Sequence, residues 1–118
     1  MTTASTPVEF RHGAIELLIL KALSWGPQHG FSIARWIQET ADDVLRLEEG
    51  SLYPALHRME DKRWVKAVWG TSENNRRAKF YELTAKGRQQ LAAETAEWWR
   101  YAAAVGQVLN ATNRPVSA

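Results

Sequence analysis

The sequence predicts a mainly α protein with a small β-hairpin (α+β), and two patterns support this fold class. Apolar residues recur at helical steps of three and four in four stretches of the chain. Before the last of these stretches, two short runs rich in branched and aromatic residues, WVKAVW at 64–69 and AKFYEL at 78–83, flank a polar turn at 70–75, which is typical of a hairpin. The 118 residues, of which 45% are hydrophobic, are enough for one domain with a modest core.

The first helix is predicted from about Arg11 to Trp25, after a polar stretch at 1–9 that we interpret as a flexible arm. A start as early as Pro7 stays open, because the Thr-Pro-Val-Glu sequence there could form a capping box. The helix is apolar on nearly every side, whereas one small domain is expected to cover only one side. We therefore predict that the other side packs against a second copy of the chain. The residues predicted for this dimer contact are Ile15, Leu18 and Ile19.

The second helix is predicted from about Phe31 to Ala41, after a strong break at 26–30 (GPQHG). The acidic pair that follows is expected to end this helix, before a short extended piece at 44–47. The helical spacing predicts a buried face made of Phe31, Ala34, Ile37 and Ala41.

The third helix is predicted over residues 48–63, with an apolar stripe along one face. Ser51 is expected to cap its start, and Pro54 is expected near that start, where a missing N–H breaks no bond. Two helices and a short connection before a third predict a helix-turn-helix. The stripe consists of Leu52, Leu56 and Met59.

The last helix is predicted from Ala85 to about Leu109, with Thr84 as its cap, and residues 110–118 are interpreted as a disordered tail. No remaining domain is left to cover the long apolar stripe of this helix, which is a second argument for a dimer. The stripe consists of Leu91, Trp98, Tyr101, Val105 and Val108.

Three helices followed by a hairpin with a basic tip is the order of elements in a winged helix-turn-helix, which we assign to residues 10–84, with 85–109 as a dimerisation helix. In that fold the third helix enters the major groove of DNA, and the hairpin, or wing, reaches the adjacent backbone or minor groove. The net charge is only +2, but residues 73–88 hold five basic side chains against two acidic ones. A solvated charged turn is the alternative interpretation of the tip. The side chains predicted to contact phosphate or sugar are Asn74, Asn75, Arg76, Arg77 and Lys79.

Three segments of the chain resemble the PadR family of bacterial transcriptional regulators, within a match that covers about residues 12–92. They are HGFSI at 29–33, EEGSLYPALHRME at 48–60 and RRAKFYELTAKGR at 76–88. The resemblance implies a winged-helix dimer that represses transcription at a pseudo-palindromic operator on double-stranded DNA. It further implies the short subgroup of that family, in which a single C-terminal helix crosses to the other subunit.

The resemblance also assigns site residues to the elements predicted above. In the second helix, the backbone at Gly30 and Phe31 would approach phosphate, and the missing Cβ of Gly30 would allow that approach. Arg76, Arg77 and Lys79 match the basic positions of the family's wing. The third helix would act as the recognition helix through Ser51, Tyr53, Pro54 and His57, with Arg58 on the same surface.

Other classes of function find less support in the sequence. The three histidines lack metal-ligand spacing and the chain has no cysteine, so we predict neither a metal site nor a cofactor. No nucleophile or phosphate-loop motif is present, and we predict that the protein is not an enzyme. No apolar run reaches the roughly 18 residues of a membrane span, and a cysteine-free chain fits the reducing cytoplasm. A winged-helix protein–protein adaptor that does not bind DNA stays open.

Trp98 and Trp99 are adjacent indoles on the last helix, which no further layer covers. One hypothesis is that either of them lines a site at the dimer centre for a small aromatic effector. Plain packing between the two copies is the alternative that we favour.

Overall fold

The computed structural model of the chain describes residues 10–11 and 13–116, so the predicted arm at 1–9 and the alternative helix start at Pro7 lie outside the described residues. Its order of elements confirms the α+β fold class and the predicted helix-turn-helix followed by a hairpin. A 3-10 turn over Leu23–Trp25 continues the first helix. The helices and strands are α1 (Ala14–Ala22), β1 (Gln28–His29), α2 (Gly30–Thr40), α3 (Glu49–Asp61), β2 (Val65–Thr71), β3 (Arg77–Leu83) and α4 (Ala85–Leu109).

The hydrophobic core surrounds α1, which packs against α2, α3 and α4 of the same chain. Three neighbouring helices explain why α1 is apolar on nearly every side, without a second copy. The assignment of Ile19 to a dimer contact is therefore corrected, because its side chain is fully buried in the core. Ile15 and Leu18 are partly buried against the same core.

The core face of α2 differs from the predicted one at its first position. Gly30, Ile33 and Ile37 are buried at steps of three and four. Phe31 lies one position away from this stripe and is 63% exposed, so the prediction that it is buried was wrong. The acidic pair ends the helix as expected, since Asp42 has a left-handed φ of 51°.

The start of α3 also differs from its prediction, whereas its apolar stripe is confirmed. Glu48 is the N-cap residue and no side chain caps the helix, so the predicted capping role of Ser51 was wrong. Pro54 is the sixth residue of the helix and so lies beyond its first turn. Because proline has no N–H, the carbonyl oxygen of Gly50 receives no hydrogen bond from this position. The buried residues of α3 are Leu52, Ala55, Leu56 and Met59.

The sheet has three antiparallel strands in the order β1-β3-β2, one more strand than the sequence predicted. The added strand β1 has two residues and pairs Gln28 with Tyr81. The hairpin strands extend further toward the tip than predicted, to the pair Thr71 and Arg77, so the tip is residues 72–76.

The long helix α4 has the predicted bounds, and the predicted cap is confirmed, because the Thr84 hydroxyl accepts a hydrogen bond from the Gly87 N–H at 3.0 Å. The same hydroxyl donates to the Arg63 carbonyl at 2.6 Å, which fastens the start of α4 to the segment after α3. Within residues 13–116, no helix is both long and apolar enough to cross a membrane. Much of the predicted apolar stripe is exposed in the single chain: Trp98 39%, Tyr101 58%, Val105 38% and Val108 75%.

Candidate nucleic-acid interface

The surface of α3 that faces away from the core is polar, and by helical spacing its centre runs along Gly50, Pro54, His57 and Asp61. Tyr53 lies on one flank of this line, next to the start of α2. The structure thus places every residue predicted to read the groove on exposed surface of α3: Ser51, Tyr53, Pro54, His57 and Arg58. Their contact with DNA stays a prediction.

The ring of Tyr53 rests against the first residue of α2, and 44% of the side chain is exposed. A Cβ at Gly30 would lie 2.8 Å from the Cε1 and hydroxyl oxygen of Tyr53, so glycine at this position makes room for the ring. This packing is a reason for the glycine that the sequence did not predict, and approach of its backbone to a phosphate stays a prediction. Partial burial raises the pKa of the Tyr53 phenol, and Glu49 and Tyr81 add to the rise. The phenol therefore keeps its proton at neutral pH and can both donate and accept a hydrogen bond.

Arg58 is tied to α1 by an ion pair that the sequence did not predict. Its Nε and Nη2 atoms donate to one carboxylate oxygen of Glu16 at 3.1 and 2.9 Å, and the Glu16 side chain is only 14% exposed. This pair fixes the orientation of the recognition helix relative to α1. The remaining N–H groups of Arg58 stay available on the predicted interface.

His57 stands at the centre of the exposed surface of α3, with the carboxylate of Asp61 one turn further on and 3.6 Å from its Nε2 atom. Both side chains are more than two-thirds exposed, so this contact contributes little to stability. Across the described part of the chain, no group of three metal-binding side chains lies close enough together to hold an ion.

The wing tip is held mainly by backbone hydrogen bonds, together with one from the Arg76 N–H to the Ser72 hydroxyl at 3.3 Å. The Ser72 N–H donates to the Arg76 carbonyl at 2.8 Å, and the Asn75 N–H donates to the Ser72 carbonyl at 2.9 Å. Asn75 adopts a left-handed φ of 58°, a conformation that asparagine tolerates better than most residues. The side chains of Asn74, Asn75 and Arg76 are consequently exposed at the tip, as predicted contacts with DNA require.

Lys79 connects the wing to the recognition helix, because its ammonium lies 3.5 Å from a carboxylate oxygen of Glu60 on α3. Burial lowers the pKa of Lys79, but Tyr81 and Glu60 raise it by more, so the pKa ends above its ordinary value and the side chain stays cationic. Its charge is nevertheless partly neutralised by Glu60. Arg76 and Arg77, by contrast, form no ion pair with any carboxylate of residues 13–116.

The start of α2 is held by His29, a role that sequence reasoning missed. The Nδ1 atom of His29 accepts a hydrogen bond from the Ser32 N–H at 3.2 Å, and its ring stacks on Phe31 with 6.4 Å between centroids. Histidine is not among the usual N-cap residues, so the sequence offered no pattern from which to predict this cap. Phe31 is thereby held at the exposed end of α2, close to Tyr53.

A cleft of about 440 Å³ lies away from this surface, between the start of α1 and the middle of α4. Leu17, Trp98 and Tyr101 give it an apolar lining, and its charged lining consists of the carboxylates of Glu94 and Glu97 and the guanidinium of Arg11. Of the two candidate indoles, the structure places Trp98 in the cleft and not Trp99, which is 65% exposed elsewhere on the helix.

Comparison with known proteins gives one consistent result. Residues 19–93 match the transcriptional regulator PadR-like family. A PadR family transcription regulator from Clostridium difficile R20291 is 32% identical, with a TM-score of 0.73 over 83% of this chain and all of that one. A protein from Streptococcus mutans UA159 is 27% identical, with a TM-score of 0.78 over 94% of this chain and 98% of that one. A protein from Lysinibacillus sphaericus is 24% identical over 73% of this chain and 79% of its own length.

These matches confirm the family resemblance, the winged-helix fold and the prediction that the protein is not an enzyme, since the family consists of transcriptional regulators. The family match includes the recognition helix and the whole wing. The chain belongs to the PadR-like family of transcriptional regulators.

Proposed function

We propose that this DNA-binding regulator is a repressor that binds a pseudo-palindromic operator as a homodimer. The observation that supports the proposal most is the Lys79–Glu60 pair, which holds the wing beside α3. Exposed side chains of the recognition helix and the unpaired arginines of the wing therefore share one side of the molecule. That arrangement suits a helix in the major groove and a wing on the adjacent backbone or minor groove.

In the proposed dimer, two copies of α3 lie in successive major grooves, about 34 Å apart along the duplex. The exposed stripe of α4 supports pairing of the two chains, because large apolar side chains such as Tyr101 and Val108 have no cover in one copy. Bound across a promoter, the dimer would block access of RNA polymerase. A protein–protein adaptor is disfavoured, since it would have no use for unpaired arginines in the wing.

The division of labour between wing and helix gives the test of this proposal. Arg76→Ala should weaken binding to every duplex and lower the slope of log affinity against log salt by about one, because one phosphate contact is lost. Tyr53→Ala should instead reduce the preference for the operator over random DNA, by about 1–3 kcal/mol if the ring reads a base pair. Fluorescence anisotropy with DNA from the chain's own upstream region and with random DNA measures both effects.

Arg100→Ala is the matched control, since it removes one positive charge from an 82% exposed side chain on α4, far along the chain from the wing. The DNA affinity of the Arg100→Ala variant, and the salt dependence of that affinity, should equal those of the wild type. If the Arg76 and Tyr53 variants lost affinity in the same pattern on both duplexes, the proposed separation of backbone and base contacts would be wrong.

A second candidate function, effector sensing, is favoured by the cleft that contains Trp98. An apolar lining with two carboxylates and one guanidinium has a net negative charge, which suits a flat, cationic aromatic molecule. The cleft also lies against the helix proposed to join the two copies. A planar cationic dye is therefore expected to quench tryptophan fluorescence in the wild type and in Trp99→Phe, but much less in Trp98→Phe. No quenching of the wild type well above micromolar dye would remove this candidate.

A further inference from the structure

The inner face of the wing carries an exposed tryptophan whose position was not predicted from the sequence. Alternate residues of β2 face the same side of the sheet, so Trp69 lies on the same face as Val65, which is only 2% exposed and packs in the core. Along the hairpin, Trp69 lies two residue pairs closer to the wing tip than the last core residues of the sheet. Its side chain is 56% exposed. It therefore extends the face on which the sheet meets the helices.

Arg77 lies on this same face, diagonally across the hairpin from the tryptophan. Trp69 pairs with Lys79, and Thr71 pairs with Arg77, so the indole and the guanidinium are diagonal neighbours. The central carbon of the Arg77 guanidinium lies 4.5 Å from the centroid of the Trp69 ring, which is a cation–π contact. From this face Lys79 also reaches Glu60 of α3. The stacked pair thus lies on the side of the wing that borders the recognition helix.

The kind of contact that Arg77 makes determines whether its N–H donors remain available for DNA. A carboxylate would occupy the N–H donors of a guanidinium, as Glu16 does for Arg58. An aromatic ring instead contacts the flat face of the guanidinium, so that the donors, which lie in its plane, stay free. The ring also restricts a long side chain that would otherwise lose much rotamer freedom on binding.

We propose that Trp69 is a positioning residue for DNA binding, which holds the Arg77 guanidinium against the inner face of the wing with its N–H groups directed to the sugar–phosphate backbone. This inference rests on the proposed DNA-binding function. It separates the two wing arginines: Arg76 is a mobile contact at the tip, whereas Arg77 is an oriented contact beside α3. The tryptophan acts through the arginine and not by touching bases.

A double-mutant cycle tests this role. Trp69→Ala should weaken binding to the operator about two- to fivefold, the range expected for loss of an exposed cation–π contact. In an Arg77→Ala background the same change should have no further effect, because the guanidinium that it positions is gone. Trp69→Phe should fall between wild type and Trp69→Ala, since a phenyl ring binds a cation more weakly than an indole.

Trp25→Ala is the matched control, because Trp25 is 68% exposed and carries the Lys21 ammonium 4.6 Å from its ring, yet lies outside the wing. Its DNA affinity should not change. If Trp69→Ala cost the same factor with and without Arg77, or cost nothing, the inference would be overturned while the proposed function stood. If the wild type itself showed no salt-dependent DNA binding, the proposed function and this inference would fail together.

Discussion

Replacing Gly87 by alanine is expected to lower the free energy of unfolding by about 3 kcal/mol, the upper end of the usual cost of overpacking. Gly87 lies in the first turn of α4, and an added Cβ would overlap the carbonyl oxygen of Trp64 and lie 3.0 Å from its carbonyl carbon. That carbonyl cannot easily withdraw, because it accepts the Thr84 N–H at 3.0 Å. The helix would have to tilt away from the end of the hairpin, at the expense of the contacts between α4 and the rest of the domain.

Gly106→Ala is the control on the same helix, since a Cβ there meets no atom within 4 Å. It should raise stability by about 0.5 kcal/mol, because alanine loses less backbone freedom on folding. Thermal or urea unfolding followed by circular dichroism, at equal protein concentrations, compares the two variants. A Gly87→Ala protein as stable as the wild type would show that α4 does not start against the Trp64 carbonyl.

The elements that the sequence predicted well are those whose pattern is local. The stripe of Leu52, Leu56 and Met59 requires only the helical repeat, and the cap by Thr84 requires only its position before the last helix. Strand β1 was missed because two residues carry no periodicity, and Gln28 becomes a strand only by pairing with Tyr81 far along the chain. For the same reason, the ion pair between Arg58 and Glu16 could not be predicted, because the two residues are 42 positions apart in the sequence.

The error over Ile19 has a different cause, which is the number of layers assumed around α1. The apolar circumference of the helix was interpreted as one face for its own domain and one for a second copy. In the structure α1 is the central helix, with α2, α3 and α4 around it. The many apolar residues of α1 therefore reflect its burial within one chain. The case for dimerisation therefore depends mainly on α4, and a dimer contact through the partly buried Ile15 and Leu18 stays a prediction.

Trp69 shows that composition can predict exposed tryptophans without predicting where in the fold they lie. Six tryptophans in 118 residues exceed what a small core can hold, so some of them are expected in an interface, but the composition does not say whether Trp69 is one of them. Its neighbour in space, Arg77, was assigned to the tip because the hairpin register was unknown. Once the register pairs Thr71 with Arg77, the two side chains meet on the inner face of the wing.

The largest functional effect is expected from placing charges in the α4 stripe. Tyr101→Glu together with Val105→Glu should convert the proposed homodimer to a monomer, because two carboxylates would have to lose their water in an apolar interface. Both side chains are exposed in the single chain, at 58% and 38%, so the monomer should keep its fold. Sedimentation or light scattering would measure the change in mass.

Operator affinity in this double variant should fall by about 10²–10⁴-fold, since the second half-site no longer binds at the high effective concentration that the dimer provides. Ala96→Glu with Ala103→Glu is the matched control: it adds two carboxylates to exposed positions that helical spacing places on the opposite side of α4, and it should remain dimeric with unchanged affinity. Affinity for a single half-site should be alike in both variants, because α3 and the wing are untouched. A stripe variant that stayed dimeric and bound the full operator like the wild type would show that the two copies pair through some surface other than α4.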